Sequence, residues 1–467
     1  MCCLVTGCGS GGGSKSTTST NGSAAKPKTT SPVTLPGASP PILRIDTPAS
    51  GTSPGYVFLA EKGKASDPSG VVIADNAGRI VWYHQVPSGL EATDFRTQSL
   101  NGKPVLTWWQ GAVSKSGIGQ GEDEIYDARY HELRTVKAAH GLQADLHEFQ
   151  LTPRGTALIT AYDEVPADLR AVGGPKDGWV WDSIVQEVDP MTGKLLFEWH
   201  SVGHVPFSDS LEANQKPAKT ASKKVPLDYF HVNSVSDGPG GTVLVSARNT
   251  STIYALARDG HIVWRLGGKR SQFGPPAAVK FFYQHNARWH PNGTLSLFDN
   301  GGIPRAEPHS RPLVLKVDQK TKHVSILKTF PTKIASPYEG DTELLPDGGA
   351  FVGWGGVPKL TEFTAAGKVR FQMTLPYGDT YRGYRLQWTG DPGGAPAVAL
   401  KDGKVYASWN GKTGIARWQV LDGSKRIASA AWGGLETAIP LKGTPKQVTV
   451  RALDAAGKTL GKATASS

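Results

Sequence analysis

One short pattern recurs along the middle of the chain and limits what the chain can fold into. A His begins a short run that ends at a turn Gly; an apolar strand follows and closes on polar residues. His231 and His285 open two copies, with turns at Gly241 and Gly293, and the strands that follow close on Arg248-Asn249 and Asp299-Asn300. A third copy opens at His147, and a fourth has Gly340 at the His position. The turn Gly comes at the same distance in three copies: 147 to 155, 285 to 293 and 340 to 348. The His231 copy has a longer Asp-Gly-Pro-Gly-Gly turn. Repeats of this size mean units that bury a core only when they stack. Equivalent units hold His147, His231 and His285 at one level, so three imidazoles are expected to converge on a common axis.

From Tyr56 onward short strands come in sets. Each set ends in a hairpin of one form: an apolar strand, a tight turn, then a strand that usually carries Trp or Phe. Asp75-Asn76-Ala77-Gly78 is one such turn. The 56 Gly and 33 Pro suit many short strands joined by tight turns. Apolar and polar residues alternate, and no long stretch has clean helical periodicity; short helices are expected only within 166–172 and 208–216. Six sets of four strands predict an all-β chain with a six-bladed β-propeller over residues 41–392. There the innermost strands line a central channel, the three His crowd one mouth, and the insertion at 202–225 lies over a face as a lid. Residues 393–467 differ. Trp409, Trp418 on the next strand and a closing strand before an Ala-x-Asp-x-x-Gly turn predict a small fibronectin type III-like or Ig-like β-sandwich.

All three Cys (Cys2, Cys3, Cys8) lie at the start of the chain, so the folded body has no disulfide, thiolate metal site or Cys nucleophile. Val5-Thr6-Gly7-Cys8 resembles the end of a bacterial lipoprotein signal (residues 1–8), with Cys8 as the lipidated residue. Residues 9–40 are Gly, Ser, Thr, Lys and Pro with little to bury and read as a disordered linker, order beginning near Pro41. The expected location is extracytoplasmic, lipid-anchored at the cell surface or secreted. Membrane contact is expected only through Cys8, because no later segment approaches the ~20 apolar residues of a span. The net charge of +11 suits anionic partners. Its basic residues are scattered and no nucleic-acid-binding signature accompanies them, so nucleic acid is not an expected partner.

Four segments together resemble the aryl sulfotransferase family of secreted bacterial and fungal propeller proteins: His231-Val-Asn233-Ser-Val, Ser246-Ala-Arg248, Trp264 with Gly267-Gly268, and Gln284-His285-Asn-Ala. The likeness covers most of residues 50–390. It implies transfer of a sulfuryl group from a small phenolic sulfate ester to a phenol, through a sulfated His and with no nucleotide donor or other cofactor. Matched by motif, His285 is the implied nucleophile. His231, Asn233 and Arg248 hold the sulfate oxygens, and His147 is a further channel His. Asn249 and Asn300, at the polar ends of the two strands, are added as substrate-binding candidates.

The residue types fit that chemistry on their own. A neutral imidazole nucleophile splits one hard displacement into two easier ones. Its ordinary pKa of ~6.5 falls further beside an Arg. Arg248 offers a planar fork matched to an oxyanion. Asn233 and a protonated His231 add donors of a kind that contributes about 3–4 kcal/mol each to a transition state. His231 or His147 serves as general acid for the leaving phenolate. Tyr229, Tyr283, Trp354 and Trp108 are candidates to stack on the aryl ring.

Plainer readings compete with this one. A strand His is usually a hydrogen-bonded structural residue, and Arg248-Asn249 or Asp299-Asn300 can simply satisfy turn carbonyls. Three His also suit zinc or iron backed by Asp145, Asp228 or Asp299, giving a metal-dependent lyase or hydrolase; the preferred reading needs no metal. The main alternative is a non-catalytic cell-surface propeller that binds a glycan or protein partner. A P-loop is absent, and the body has no Cys for a formylglycine nucleophile. The G-x-S-x-G match at 51–55 has Pro54 directly after Ser53 and no helix pattern behind it, so it is no nucleophile elbow.

Overall fold

The structure is a computed structural model that describes residues 31–62, 68–211, 216–274, 279–303, 305–375 and 377–466. The lipidation candidate Cys8 and the signal-like segment around it lie outside the described residues. The chain is all-β, built from antiparallel sheets, with short helical turns at Arg170–Val172, Phe207–Asp209 and Lys216–Lys219 in the inserted segments.

Between Tyr56 and Leu386 the described strands fall into six sets of four. The second set opens with Glu91–Leu100 and the third with Ala144–Leu151; one bridge, Gly121 to Ala144, links the two into a single sheet. The fourth opens with Val232–Asp237, the fifth with His285–Trp289 and the sixth with Asp341–Leu344. The first set takes its opening strand from the end of this span, far from Tyr56 in sequence. Gly383–Leu386 pairs antiparallel with Tyr56–Glu61, Val57 facing Arg385 and Leu59 facing Gly383. The six opening strands touch one another in order, and the last touches the first.

Sequence alternation describes only the outer strands. Ile262–Gly267 alternates, but Gly70–Ala74, Val243–Ala247 and Thr252–Leu256 are buried at every residue. The reason is that each sheet is covered on both faces, which favours continuous apolar runs. Leu244 and Ile253 of the fourth set share a core with Leu295 and Leu313 of the fifth. Phe298 and Val314 then meet Val352 and Phe363 of the sixth, and Leu360 and Phe371 meet Val57 and Val72 of the first. Similar cores join the first to the second, the second to the third and the third to the fourth set.

Seven strands from Ala397 to Ser466 form two small sheets, of three and four strands. They share a core of Val405 and Ile439 from one sheet with Trp418, Val420 and Val450 from the other. Asn410 bonds both the N–H and the carbonyl of Tyr83, and Arg79 lies over Trp432, so this unit is fastened to the first set. Residues 31–40, expected to belong to the linker, are tied down as well. Glu436 accepts hydrogen bonds from the Val33 and Thr34 N–H groups at 3.1 and 2.7 Å. Leu35 and Ala38 lie against the core of the first and sixth sets. Two apolar residues and one distant carboxylate hold a segment whose composition alone reads as unstructured.

Gly340 explains why the sixth set has no His at the recurring position. Its φ is +99°, and a Cβ there would lie 2.7 Å from the Phe298 ring. Gly340→Ala should cost about 1–3 kcal/mol, read as a lower urea midpoint at unchanged slope. An unchanged midpoint would show that the ring tolerates a side chain here.

Candidate active site

The opening strands of the third, fourth and fifth sets carry His147, His231 and His285 to one cavity of about 330 Å³. Asp228, Arg248 and Tyr338 also line it. His147 lies within its strand, His231 immediately precedes one, and His285 begins one. The His147 and His231 rings meet edge to face with centroids 4.9 Å apart. Four non-glycine residues around the site have left-handed backbone: His231 (φ 57°), Tyr283 (54°), Asn286 (50°) and Glu339 (61°). Such conformations persist only where the surroundings over-determine them, and they concentrate at sites.

Each imidazole is oriented by its Nδ1. In His147 it faces Asp145 Oδ2 at 2.5 Å, and Asp145 is fixed in turn by the Gly119 N–H at 2.7 Å and the Thr160 hydroxyl at 3.2 Å. In His231 it faces Asp228 Oδ2 at 2.5 Å. A carboxylate at Nδ1 demands N–H there and leaves a lone pair on Nε2. The Nε2 atoms of His147 and His231 have no hydrogen-bond partner among the described residues. His285 differs. Its Nδ1 faces Asn300 Oδ1 at 2.7 Å and the Tyr283 carbonyl at 3.0 Å, while its Nε2 accepts the Glu339 N–H at 3.2 Å.

Burial, with charge as a lesser contribution, lowers the pKa of two of the imidazoles. Burial lowers the His231 pKa, and the nearby His147 and Arg248 add to this against the opposing pull of Asp228. His285 is held well below the usual imidazole value by burial first and by Arg248 second. Arg248 itself stacks 4.2 Å over the Tyr283 ring and donates to Asn249 Oδ1 at 2.6 Å. No carboxylate pairs with it among the described residues, so an unneutralised guanidinium stands at the cavity wall.

The remaining sequence candidates divide. Asn249 and Asn300 support the site from behind: Asn249 bonds the Asp228 carbonyl and Arg248, and Asn300 fixes His285. Asn233 is not brought into the cavity. It is fully buried, and its amide donates to the Gln284 carbonyl at 2.7 Å, so it joins two strands where a sulfate ligand was expected. Asp299 serves its turn and pairs with Arg311. Of the expected aromatics, Tyr229, Trp108 and Trp354 are buried in cores between sets, and Tyr283 lies beneath Arg248. Tyr338, 44% exposed, lines the cavity in their place. The insertion at 202–225 contributes no cavity-lining residue among the described ones; the hairpin turn 113–117 covers that side. Among the described residues no group of three His, Asp or Glu side chains is arranged to hold a metal ion.

Below the cavity runs a charged floor that sequence reading missed. Arg382, fully buried, reaches Asp94 at 3.0 Å, Glu148 at 3.2 Å, and the carbonyls of His147 and Asn233 at 3.0 Å each. Glu148 also pairs with Arg96 and Arg288 at 2.6 Å. Burial alone would raise the Glu148 pKa; Arg288, Arg382 and Arg96 hold it at about 2. The charged residues Asp94, Arg96, Glu148 and Arg288 all stand within opening strands. At pH 6, where an ordinary imidazole is about three-quarters protonated, nitrogen NMR should find His285 neutral with its proton on Nδ1. A His285 signal titrating at or above 6.5 would contradict this geometry.

Solved structures with related arrangements are distant. A Bacteroides caccae protein of unknown function has 14% identity and a TM-score of 0.42, over 71% of this chain and 98% of its own. The quinohemoprotein alcohol dehydrogenase of Comamonas testosteroni has 13% identity and a TM-score of 0.34, over 76% and 61%. Virginiamycin B lyase of Staphylococcus aureus has 9% identity and a TM-score of 0.31, over 78% and 95%. At these values none of them bears on the chemistry of this chain. No curated protein matches the sequence. The family model described as Arylsulfotransferase (ASST) matches residues 96–375, a span that takes in all three cavity histidines and Arg248. With more than half its length matched, the chain belongs to the arylsulfotransferase family.

Proposed function

We propose that this protein transfers a sulfuryl group from a phenolic sulfate ester to a phenol, through a covalent intermediate on one of its cavity imidazoles. The observation that carries the reading is the cavity itself: three imidazoles around an unpaired Arg248 in a member of this family. About 330 Å³ lies at the small end of the ~300–1,000 Å³ of ligand pockets and suits a single-ring aryl ester. Arg248 supplies a fixed positive fork matched to the sulfate oxygens, which holds the ester against the imidazoles. Tyr338 at the rim offers a face to the aryl ring. Both half-reactions use one site, so donor and acceptor phenols alternate in it.

The same reading covers the architecture. We take the six sets of strands as the blades of a six-bladed β-propeller, closed by Gly383–Leu386, and the last seven strands as an Ig-like or fibronectin type III-like module. The closed ring of contacts among opening strands supports the first assignment. Within this proposal the protein acts outside the cytoplasm, anchored through Cys8.

The test is turnover of 4-nitrophenyl sulfate by the purified protein. Release of 4-nitrophenolate should require an added phenol, and the sulfate should appear on that phenol. Arg248→Met should lower kcat/KM about 10²–10³-fold, the usual loss on removing one transition-state donor. No acceptor-dependent release across a panel of aryl sulfates would leave a non-catalytic binding protein.

A further inference from the structure

We propose that the outer face of the last four-stranded sheet, carrying Arg417, Arg451 and Lys462, is a docking surface for a bilayer rich in anionic phospholipid. The inference does not use the transferase reading and stands or falls apart from it.

Charge is unevenly spread along the chain. Residues 397–466 hold eleven Lys and Arg against four Asp and Glu, a net +7 out of the +11 of the whole. In the four-stranded sheet of this module, strand alternation sorts the side chains between two faces. Trp418, Val420, Val448 and Val450 enter the core shared with the other small sheet. Arg417, Gln419, Thr449 and Arg451 alternate with them and are left on the opposite face. Lys462 pairs with Arg451 and Thr464 with Thr449, which puts both on that face as well. Arg417, Arg451 and Lys462 are all exposed.

The register makes these cations a stripe. Lys462 stands directly opposite Arg451, and Arg451 is the diagonal neighbour of Arg417, whose own partner is Leu453. Like charges directly opposite one another destabilise a strand pair. The module's carboxylates do not relieve the repulsion. Asp402, Asp422 and Asp454 stand at hairpin turns, and Glu436 accepts from the Val33 and Thr34 N–H groups. The ion pair that this module makes, Lys412 with Asp391, lies elsewhere. Gln419, Thr449 and Thr464, which stand between the cations, are uncharged.

The stripe crosses three adjacent strands, about 10 Å, which is more than one small anion bridges. It fits an array of anions, and a layer of phosphodiester headgroups is such an array. Each Lys or Arg at an anionic bilayer surface strengthens binding about fivefold. The path of the chain favours a bilayer as the source. Val33 and Thr34 are fixed to this module, so the segment leading back to Cys8 departs from it. Residues 9–32 contain Lys15, Lys26 and Lys28 and no Asp or Glu. An acyl anchor at Cys8 and the basic face serve one surface.

The test uses the full-length chain with Cys8→Ser, so that no acyl chain contributes, and sedimentation with vesicles. At low salt the protein should sediment with phosphatidylglycerol–phosphatidylcholine vesicles and not with phosphatidylcholine alone, and about 0.5 M salt should release it. Arg417→Gln, Arg451→Gln and Lys462→Gln combined should weaken binding about 100-fold. Arg417→Lys with Arg451→Lys should bind as the parent does. Lys103→Gln, Lys176→Gln and Lys320→Gln combined remove as much charge from exposed positions elsewhere and should leave binding unchanged. Equal binding to both vesicles, no binding to either, or equal loss in the two triple variants overturns the proposal. Capture by heparin without capture by anionic vesicles also overturns it and assigns the face to a soluble polyanion.

Discussion

The guanidinium of Arg382 is the contact on which the rest of the structure depends. It comes from the short segment that closes the ring, and it bonds the backbone of the third and fourth opening strands through the carbonyls of His147 and Asn233. The same group faces Asp94 of the second set and Glu148 of the third. A charge this deeply buried is tolerated only when it is paired and hydrogen-bonded, and removing one partner of such a pair typically costs about 3–5 kcal/mol. The cost therefore enforces geometry: four sets must stand in one relation for Arg382 to be satisfied. That relation sets His147 beside His231.

Above this floor the protein presents imidazoles that are each oriented through Nδ1. Asp145, Asp228 and Asn300 each accept at an Nδ1, so three rings share one tautomer while meeting different surroundings at Nε2. Imidazoles held in this way beside Arg248, with which no carboxylate among the described residues pairs, make a site that attracts an anion. Asp145 and Asp228 are engaged at the Nδ1 atoms, and neither pairs with Arg248. The left-handed backbone at His231 and Glu339 is the local strain that accompanies this placement.

The phase of the repeat was legible because His147, His231 and His285 keep a fixed distance to their turns or share their neighbours, and the structure brings all three to one cavity. Asn233, taken from the motif match, is not brought into the cavity. Two residues beyond His231, it falls on the same side of an ideal strand, but the pairing shifts between Val232 and Ser234 and its amide turns into the neighbouring strand. Tyr338 and Glu339 were invisible because they belong to a loop with no pattern, and their place follows from Asn300 and Lys62 far away in sequence. The closing strand Gly383–Leu386 is too short to announce itself. The burial of the middle strands on both faces could have been read from runs such as Val243–Ala247, which do not alternate.

The account stands on one claim: a sulfate monoester sits among these rings with its oxygens on Arg248. A crystal structure of the protein soaked with a slowly reacting aryl sulfate measures this directly. The account predicts sulfur density within about 3.5 Å of an imidazole Nε2, oxygens on the Arg248 fork and the aryl ring toward Tyr338. An ester bound elsewhere on the surface, with water alone between His147, His231 and Arg248, would contradict it.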